Sequence, residues 1–217
     1  MHQLILDLLP DEPPRLDNFV AGGNTETLTG LAAWLAPDNR EISLLLWGDT
    51  GSGKTHLLRA SNAIYSDAAA DPDLAQIDHL HPAHAVDNVE ALSESGQIAL
   101  FNLFNRLRTA GGRLLTAAHL PPQQLARRED LRTRLGSGLI YRLHGLSDDE
   151  QIAALDAQAQ ARGLRLPPGA LNYLQARAPR DMRSLMALVA ALDRYSLEHQ
   201  RAITLPLLRE VLQTPLN

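Results

Sequence analysis

The stretch from Ile42 to Leu58 most constrains how this chain can fold, because an apolar strand there leads into a glycine-rich turn and then a helix. Gly48, Gly53, Lys54 and Thr55 stand at the spacing G-x-x-x-x-G-K-T, which is the phosphate-binding P-loop. Glycine lets the backbone curl and turn successive N–H groups inward toward an anion, and the following helix adds the positive end of its dipole. In this motif the lysine reaches the outer phosphates and the threonine hydroxyl holds Mg²⁺.

The lysine of the P-loop is unusual in the composition of this chain. Lys54 is the only lysine in the chain, and every other basic residue except histidine is an arginine. A compact ammonium fits between phosphate oxygens better than a planar guanidinium does. The alternative is a chance glycine-rich loop, and the strand before the loop and the helix after it argue against that interpretation.

Composition narrows the class of protein. With 217 residues, 45% of them hydrophobic, the chain can form one domain, or one domain and a smaller one, around a sizeable core. The absence of cysteine excludes a disulfide framework and a thiolate metal site. No apolar run approaches membrane-spanning length and the start lacks a signal peptide, so we expect a soluble cytoplasmic protein without a membrane partner. The net charge of −5 argues against broad electrostatic binding to nucleic acid.

Residues 1–15 resemble a tail and not a packed element. A helix cannot continue through Pro10, Pro13 and Pro14. The stretch Leu4–Leu9 is nevertheless so apolar that we expect it to be buried against another surface. Two interpretations remain open. The segment packs on the domain as an edge strand or short helix, or it docks on a partner as a peptide whose leucines fill a pocket while Gln3 forms hydrogen bonds beside it.

Residues 16–146 alternate between strand and helix patterns. The predicted strands are 42–47, 75–78, 83–87, 113–117 and 139–143. The predicted helices are 25–36, with Asn24 as its cap, 54–65 and 95–110, followed by a short arginine-rich helix before the last strand. This alternation implies a mostly parallel sheet with helices on both faces, whose ligands bind beyond the carboxyl ends of the strands. The P-loop, Asp87 and the loop near His119 should therefore share one rim.

From Ser147 the pattern becomes helical only. Ser147 to Glu150 form a capping box, and the predicted helices are 148–162, 169–177, 181–199 and 205–212. Four helices after an α/β block indicate a small all-α second domain. We therefore expect a tail at 1–15, a P-loop α/β domain at 16–146 and a helical domain at 147–217.

Two groups of charged residues are candidates for chemistry. Asp87 closes a strand after the P-loop, where the second Mg²⁺ ligand is expected, and the alternative is an ordinary acid in a turn. Four arginines, Arg127, Arg128, Arg132 and Arg134, crowd the short helix before the last strand. They form a solvated face, or one of them projects onto a phosphate held by a neighbouring subunit, a task that suits the fork-shaped guanidinium.

The order of these features resembles the AAA+ ATPases, in which a P-loop α/β module is followed by a helical lid. The stretch DLRTRLGSGLIYRL resembles the arginine-finger segment of the DnaA branch and its Hda group, and RDMRSLMALVAALDR resembles their sensor-2 helix. The resemblance covers residues 16–212. The start, QLILDL, is similar to the peptide by which the Hda group docks on the DNA polymerase sliding clamp.

The resemblance implies a role for each matching residue. ADP or ATP, with Mg²⁺, would be bound by Gly48, Asp49, Thr50, Gly51, Ser52, Gly53, Lys54 and Thr55. Asp87 would assist Mg²⁺, Arg134 would be an arginine finger acting in trans, and Arg183 would be the sensor-2 arginine that closes the lid onto the nucleotide.

Two positions depart from the family pattern of an active ATPase. Asn88 stands where hydrolysing members carry an acid, and His119 stands at the acidic sensor-1 position. An amide is a poor base, so we expect weak or no intrinsic hydrolysis. The region between the P-loop and Asp87 is also short, so one strand or helix there should be abbreviated.

The resemblance implies a regulator of replication initiation. Docking on the polymerase III sliding clamp (beta subunit) would use Gln3, Leu4, Leu6 and Leu8, and DNA would be contacted through the clamp. Arg134 would then promote hydrolysis of ATP held by DnaA and prevent re-initiation. DnaA continues into a helix-turn-helix domain, whereas this chain ends at Asn217. Self-association into a homo-oligomer is left open.

Two functions of other classes remain as alternatives. A DNA-binding initiator or helicase-loader paralogue would need a basic or aromatic groove, which 4% aromatic residues and a net charge of −5 disfavour. A stand-alone P-loop ATPase or kinase would need an acceptor site and a catalytic base, of which the sequence gives no sign.

Overall fold

A computed structural model of the chain describes residues 13–78, 80–177 and 182–213, with side chains as far as residue 209. The described residues form two compact units, one from Pro13 to Gly145 and one that begins at Leu146. The N-terminal peptide, including Gln3, Leu4, Leu6 and Leu8, lies outside the described residues, as do Arg180 and Asp181.

The first unit is built on one parallel sheet. Its strands are β1 (Ser43–Trp47), β2 (Ile64–Asp67), β3 (Ala83–Asp87), β4 (Arg113–Ala118) and β5 (Leu139–Arg142). They lie in the order β2-β3-β4-β1-β5, and every neighbouring pair is parallel. The strand that precedes the P-loop therefore lies between β4 and β5. Because parallel strands bring their carboxyl ends to one edge, the residues that follow β1, β3 and β4 meet at that edge.

Helices cover both faces of the sheet, as predicted. One face is covered by α1 (Thr25–Leu35) and α2 (Lys54–Ala60), and the other by α3 (Glu94–Ala110) and α4 (Glu129–Leu135). The side chains of β1 alternate between them: Leu44 and Leu46 pack with α1 and α2, whereas Leu45 packs with α3 and α4. A strand buried on both faces reads as a continuous apolar run, which explains the SLLLW pattern.

The helix after the P-loop is shorter than predicted. It ends at Ala60 instead of Tyr65, and residues 64–67 form β2, which the sequence pattern did not reveal. Ser61 turns its hydroxyl back to the Leu58 carbonyl oxygen (2.6 Å), and Asn62 takes the left-handed backbone conformation (φ 59°) that ends a helix. The prediction of a strand at 75–78 was wrong, since these residues form turns and irregular structure.

The segment between β2 and β3 is abbreviated, as expected. Its described residues contain neither helix nor strand. Asn24 precedes α1 but makes no side-chain capping bond. Its amide instead donates to the His144 carbonyl oxygen and its own side-chain oxygen accepts from the His144 N–H, each at 2.8 Å. Asn24 thus ties the loop before α1 to the chain beyond β5.

The second unit is helical in all its described elements. It contains α5 (Asp148–Ala161), α6 (Ala170–Arg177), α7 (Met182–His199) and α8 (Leu205–Gln213). The capping box at Ser147 and Glu150 is confirmed, and apolar residues of all four helices, including Leu155, Leu174 and Leu185, form one core. None of the helices in the described ranges is long and apolar enough to cross a membrane.

Candidate functional site

The glycines of the P-loop are required by close backbone contacts. At Gly48, where φ is +155°, a Cβ atom would lie 2.1 Å from the Leu143 carbonyl oxygen. At Gly53, where φ is +97°, it would lie 2.5 Å from the Phe19 ring. Only glycine combines these backbone conformations with such close neighbours. The loop is therefore packed between the residue after β5 and the segment before α1.

Lys54 is buried inside the loop, with 7% of its surface exposed. Its Nζ donates to the carbonyl oxygens of Gly48 (2.7 Å) and Asp49 (2.8 Å). Burial lowers the pKa of Lys54, and the charges of Asp87, Glu90 and Asp49 partly offset that effect. A buried ammonium that is held only by neutral carbonyl groups is suited to bind an anion that enters the loop.

Asp87 and Thr55 are brought together across the sheet edge. The Thr55 hydroxyl donates to Oδ2 of Asp87 at 2.6 Å, and the Tyr65 hydroxyl donates to the same oxygen at 3.0 Å. Asp87 is only 1% exposed. Burial, and then the charge of Asp87, raise the pKa of Tyr65 to about 12. The sequence reasoning paired Thr55 with Asp87 but missed Tyr65, because β2 was not recognised.

The residues at this edge fit Mg²⁺ bound together with nucleotide phosphates. A hydroxyl and a carboxylate are hard oxygen donors, and Mg²⁺ commonly takes one or two such protein ligands while water and phosphate complete its shell. The described residues hold no cluster of three or more His, Cys, Asp or Glu side chains that could bind a metal. Thr55 and Asp87 would hold the ion, which would neutralise phosphate charge at that point.

Asn88 is turned away from the P-loop. Its backbone is left-handed (φ 54°), and its side-chain amide donates to Oδ1 of Asp67 at 2.8 Å. Asp67 ends β2, which lies on the far side of β3 from β1. The amide therefore faces the outer edge of the sheet and not the P-loop.

His119 follows β4 and is paired with a residue that the sequence reasoning did not consider. Its Nε2 lies 3.0 Å from Oε1 of Glu90. Glu90 lies in a short 3-10 turn, Val89–Ala91, directly after Asn88. The signal that could have found it is the second acid in the sequence D-N-V-E at the end of β3.

Arg134 is half-buried on α4, where its guanidinium carbon lies 5.8 Å from the ring centres of both Phe101 and Phe104. Beside it is an open pocket of about 540 Å³, lined by Phe101, Glu129, Asp130, Thr133 and Arg134. Helix α4 runs back from the carboxyl end of β4 toward the start of β5. Arg134, near the end of this helix, thus lies toward the amino ends of the strands, away from its own P-loop.

The other predicted site residues are placed as follows. Arg128 forms an ion pair with Asp130 (2.9 Å), and Arg127 donates to the carbonyl oxygen of Val89 (3.4 Å). Arg183 is exposed near the start of α7, in the second unit.

Known structures define the class of the fold. Domain III of the replication initiation protein DnaA from Thermotoga maritima matches with a TM-score of 0.70 at 20% identity, covering 95% of this chain and 100% of that one. AMPPCP-bound DnaA from Aquifex aeolicus matches with a TM-score of 0.66 at 23% identity over 89% and 71% of the two chains. RuvB from Thermotoga maritima matches with a TM-score of 0.64 at 17% identity over 93% and 72%. The parallel sheet, the P-loop and the helical second unit are those of the AAA+ P-loop proteins.

Sequence relationships narrow the class to a family. The domain family described as "Hda, lid domain" matches residues 148–212. An uncharacterized protein of Haemophilus influenzae is 33% identical over 97% of this chain and 98% of its own length. The chain belongs to the same family as this protein, and it is a DnaA-related AAA+ protein close to Hda. The family and the fold expected from the sequence are both confirmed.

Proposed function

We propose that this protein binds ADP or ATP with Mg²⁺, docks on the DNA polymerase sliding clamp, and promotes hydrolysis of ATP bound to DnaA. The observation that carries the proposal is the position of Arg134. It lies on α4 toward the amino ends of the strands, whereas the P-loop lies at their carboxyl ends. A phosphate that Arg134 reaches therefore belongs to another molecule.

The surroundings of Arg134 favour insertion into a partner. Phe101 and Phe104 back the guanidinium, which a cation–π contact holds without using its hydrogen-bond donors. The adjacent pocket leaves room for an incoming segment of a partner. An arginine supplied in trans to a phosphoryl-transfer site stabilises the charge of the transition state and raises the rate by about 10³ to 10⁵.

Nucleotide binding by this chain is supported by the P-loop geometry. The buried Lys54, together with the paired Thr55 and Asp87, offers an anion site next to a cation site. AMPPCP occupies the related DnaA of Aquifex aeolicus. In this proposal the nucleotide orders the lid through Arg183, and the ordered protein then meets its partner.

The proposed partners follow from the family. The match of residues 148–212 to the Hda lid domain favours DnaA as the partner whose ATP receives Arg134. The peptide from Gln3 to Leu8 would provide the contact with the clamp, and DNA would be reached only through the clamp. The result would be ADP-bound DnaA and no second initiation.

The test is turnover of ATP bound to DnaA in the presence of the clamp loaded on DNA. Arg134→Ala should lower the stimulated turnover by about a thousandfold or more, as expected for the loss of an arginine finger. Arg128→Ala is the matched control, since Arg128 lies directly before the same helix but is paired with Asp130. Stimulation that survives in Arg134→Ala would sink the proposal.

The clamp contact is tested separately. Deletion of residues 3–8 should abolish capture of the protein by immobilised clamp and leave nucleotide binding unchanged. Restored stimulation by the truncated protein when it is fused to the clamp would support a tethering role. Capture that persists after the deletion would show that another surface binds the clamp.

A further inference from the structure

Two polar side chains that follow β3 point toward opposite neighbouring strands of the sheet. Asn88 donates to Asp67 at the end of β2, whereas Glu90 is bonded to His119, which follows β4. In the sheet order β2-β3-β4-β1-β5, β4 lies between β3 and the strand that carries the P-loop. The carboxylate of Glu90 is therefore on the P-loop side of β3, and the amide of Asn88 is on the other side.

The backbone explains this exchange of positions. The left-handed conformation of Asn88 (φ 54°, ψ 47°) starts a 3-10 turn, in which the Ala91 N–H donates to the Asn88 carbonyl oxygen at 2.7 Å. Asparagine adopts this conformation more readily than most residues do. The turn carries the chain back over the sheet edge, so the acid two residues later reaches the end of β4.

The two oxygens of the Glu90 carboxylate have different surroundings. Oε1 lies 3.0 Å from Nε2 of His119, but Oε2 is buried and has no hydrogen-bond partner among the described residues. A buried carboxylate oxygen without a donor is costly, and bound water or substrate removes that cost. The charge of Glu90 also acts on Lys54, whose pKa it raises against the effect of burial. Through its contact with His119, the open oxygen lies at the same edge of the sheet as the P-loop.

We propose that Glu90 is the catalytic base of an intrinsic ATP hydrolysis by this chain, with His119 as its positioning residue. The oxygen of a water molecule attacks the γ-phosphorus, and the bond between that phosphorus and the β–γ bridging oxygen breaks. ADP leaves with the electron pair of that bond, and the proton of the water passes to Glu90 and then to solvent. The products are ADP and inorganic phosphate.

With Glu90 as the base, Asn88 no longer implies weak or absent hydrolysis. The acid that is absent at the position after Asp87 is supplied by a residue farther along the chain, so the substitution of asparagine does not by itself remove hydrolysis. The inference rests on the proposed binding of ATP but not on the role of Arg134.

The first test compares ATP turnover by the full chain with turnover by Glu90→Gln. The substitution should lower kcat by about a hundredfold, because a general base contributes roughly 10² to 10⁴. The Kd for ATP, measured by equilibrium titration, should stay within a few-fold. Glu94→Gln is the matched control, an exposed acid at the start of α3 that should keep the kcat of the wild type.

The second test concerns His119. His119→Ala should lower kcat, and His119→Gln, which retains an N–H donor, should restore most of it, while the Kd for ATP changes in neither. Thermal unfolding of each variant shows whether it folds. If Glu90→Gln does not fold, Glu90→Asp replaces it in the first test, because it shortens the side chain while keeping its charge and should also lower kcat.

The outcomes separate the two proposals. Absence of binding of both ATP and ADP overturns the nucleotide-binding proposal and this inference together, whereas binding of ADP alone overturns only this inference. ATP binding without turnover above the buffer rate, or an unchanged kcat in Glu90→Gln, overturns only the role of Glu90 and leaves the action of Arg134 on DnaA untouched.

Discussion

The Thr55 hydroxyl lies 2.6 Å from Oδ2 of Asp87, so the first turn of α2 is joined directly to the end of β3. The two groups come from separate layers of the fold, helix and sheet, and face the same point at the strand ends. For the proposed Mg²⁺, two oxygen ligands would thus already be held in place, which would lower the entropic cost of binding it.

Removing the Thr55 hydroxyl should remove the contribution that Mg²⁺ makes to the affinity for ADP. Thr55→Val keeps the shape but removes the hydroxyl, and we expect ADP to bind about 10- to 100-fold more weakly in Mg²⁺, as when a group that orients a metal ligand is lost. In EDTA the variant and the wild type should bind alike. Thr55→Ser retains the hydroxyl and should bind ADP as the wild type does. If Thr55→Ser loses as much affinity for ADP as Thr55→Val, the result would argue against an ion at this position.

Lys54→Met should separate stability from ligand binding. The substitution removes a buried charge whose pKa burial lowers, so the unfolding temperature of the nucleotide-free protein should stay the same or rise. ADP at about a hundred times its Kd should add about 2.7 kcal/mol to the stability of the wild type and nothing to the variant. The control is Arg59→Met, at the end of the same helix, and calorimetric unfolding with and without ADP gives the readout. Stabilisation of Lys54→Met by ADP would contradict an anion role for Lys54.

Gly48→Ala should destabilise the P-loop unit strongly. The new methyl group would lie 2.1 Å from the Leu143 carbonyl oxygen, on a backbone with φ of +155°. Strain and overpacking each cost about 1–3 kcal/mol, so we expect a loss of about 3 kcal/mol or more in the free energy of unfolding. Gly23→Ala has open space around its Cβ and should change stability little, as urea unfolding would show. Equal stability of the two variants would mean that the loop accommodates the methyl group.

Stability should fall in mild acid because of His84. This histidine is fully buried; its Nε2 donates to the His81 carbonyl oxygen (3.0 Å) and its Nδ1 has no partner among the described residues. Burial lowers its pKa, the His81 carbonyl opposes that shift, and the charges of Arg106 and His81 add to it. The unfolded chain therefore takes up a proton below about pH 6.5 that the folded chain resists, and stability is lost as the pH falls from that point.

The matched measurement for His84 is the unfolding midpoint in urea between pH 7.5 and 5.5. His84→Gln should show a flatter dependence on pH than the wild type, whereas His56→Gln, on α2, should retain the full slope. A slope that is the same in the wild type and in His84→Gln would assign the acid sensitivity to other groups.

Strong local patterns made most of the fold predictable. The SLLLW run, the P-loop spacing and the capping box at Ser147 each carry their own structural signal, and the structure has all three elements. β2 was missed because Ile64 and Tyr65 continue the apolar pattern of α2, so the break at Asn62 depends on a left-handed residue that periodicity does not register.

The candidate site was less predictable than the fold. Thr55 and Asp87 could be paired from their positions in the chain, because a P-loop and a strand end share one edge of a parallel sheet. The pair Glu90 and His119 could not, since it depends on the conformation of Asn88 and on the strand order. Both properties arise from tertiary structure and leave little trace in residue spacing.

The burial of Lys54 has a consequence for observing the protein in solution. No other side chain in the sequence carries a primary amine, since every remaining basic side chain is a guanidinium or an imidazole. A lysine-specific isotope label would therefore place one ammonium resonance in the spectrum, at the loop that Gly48 and Asp49 close around it. That single resonance would follow occupancy of the loop directly, without a background from the surface.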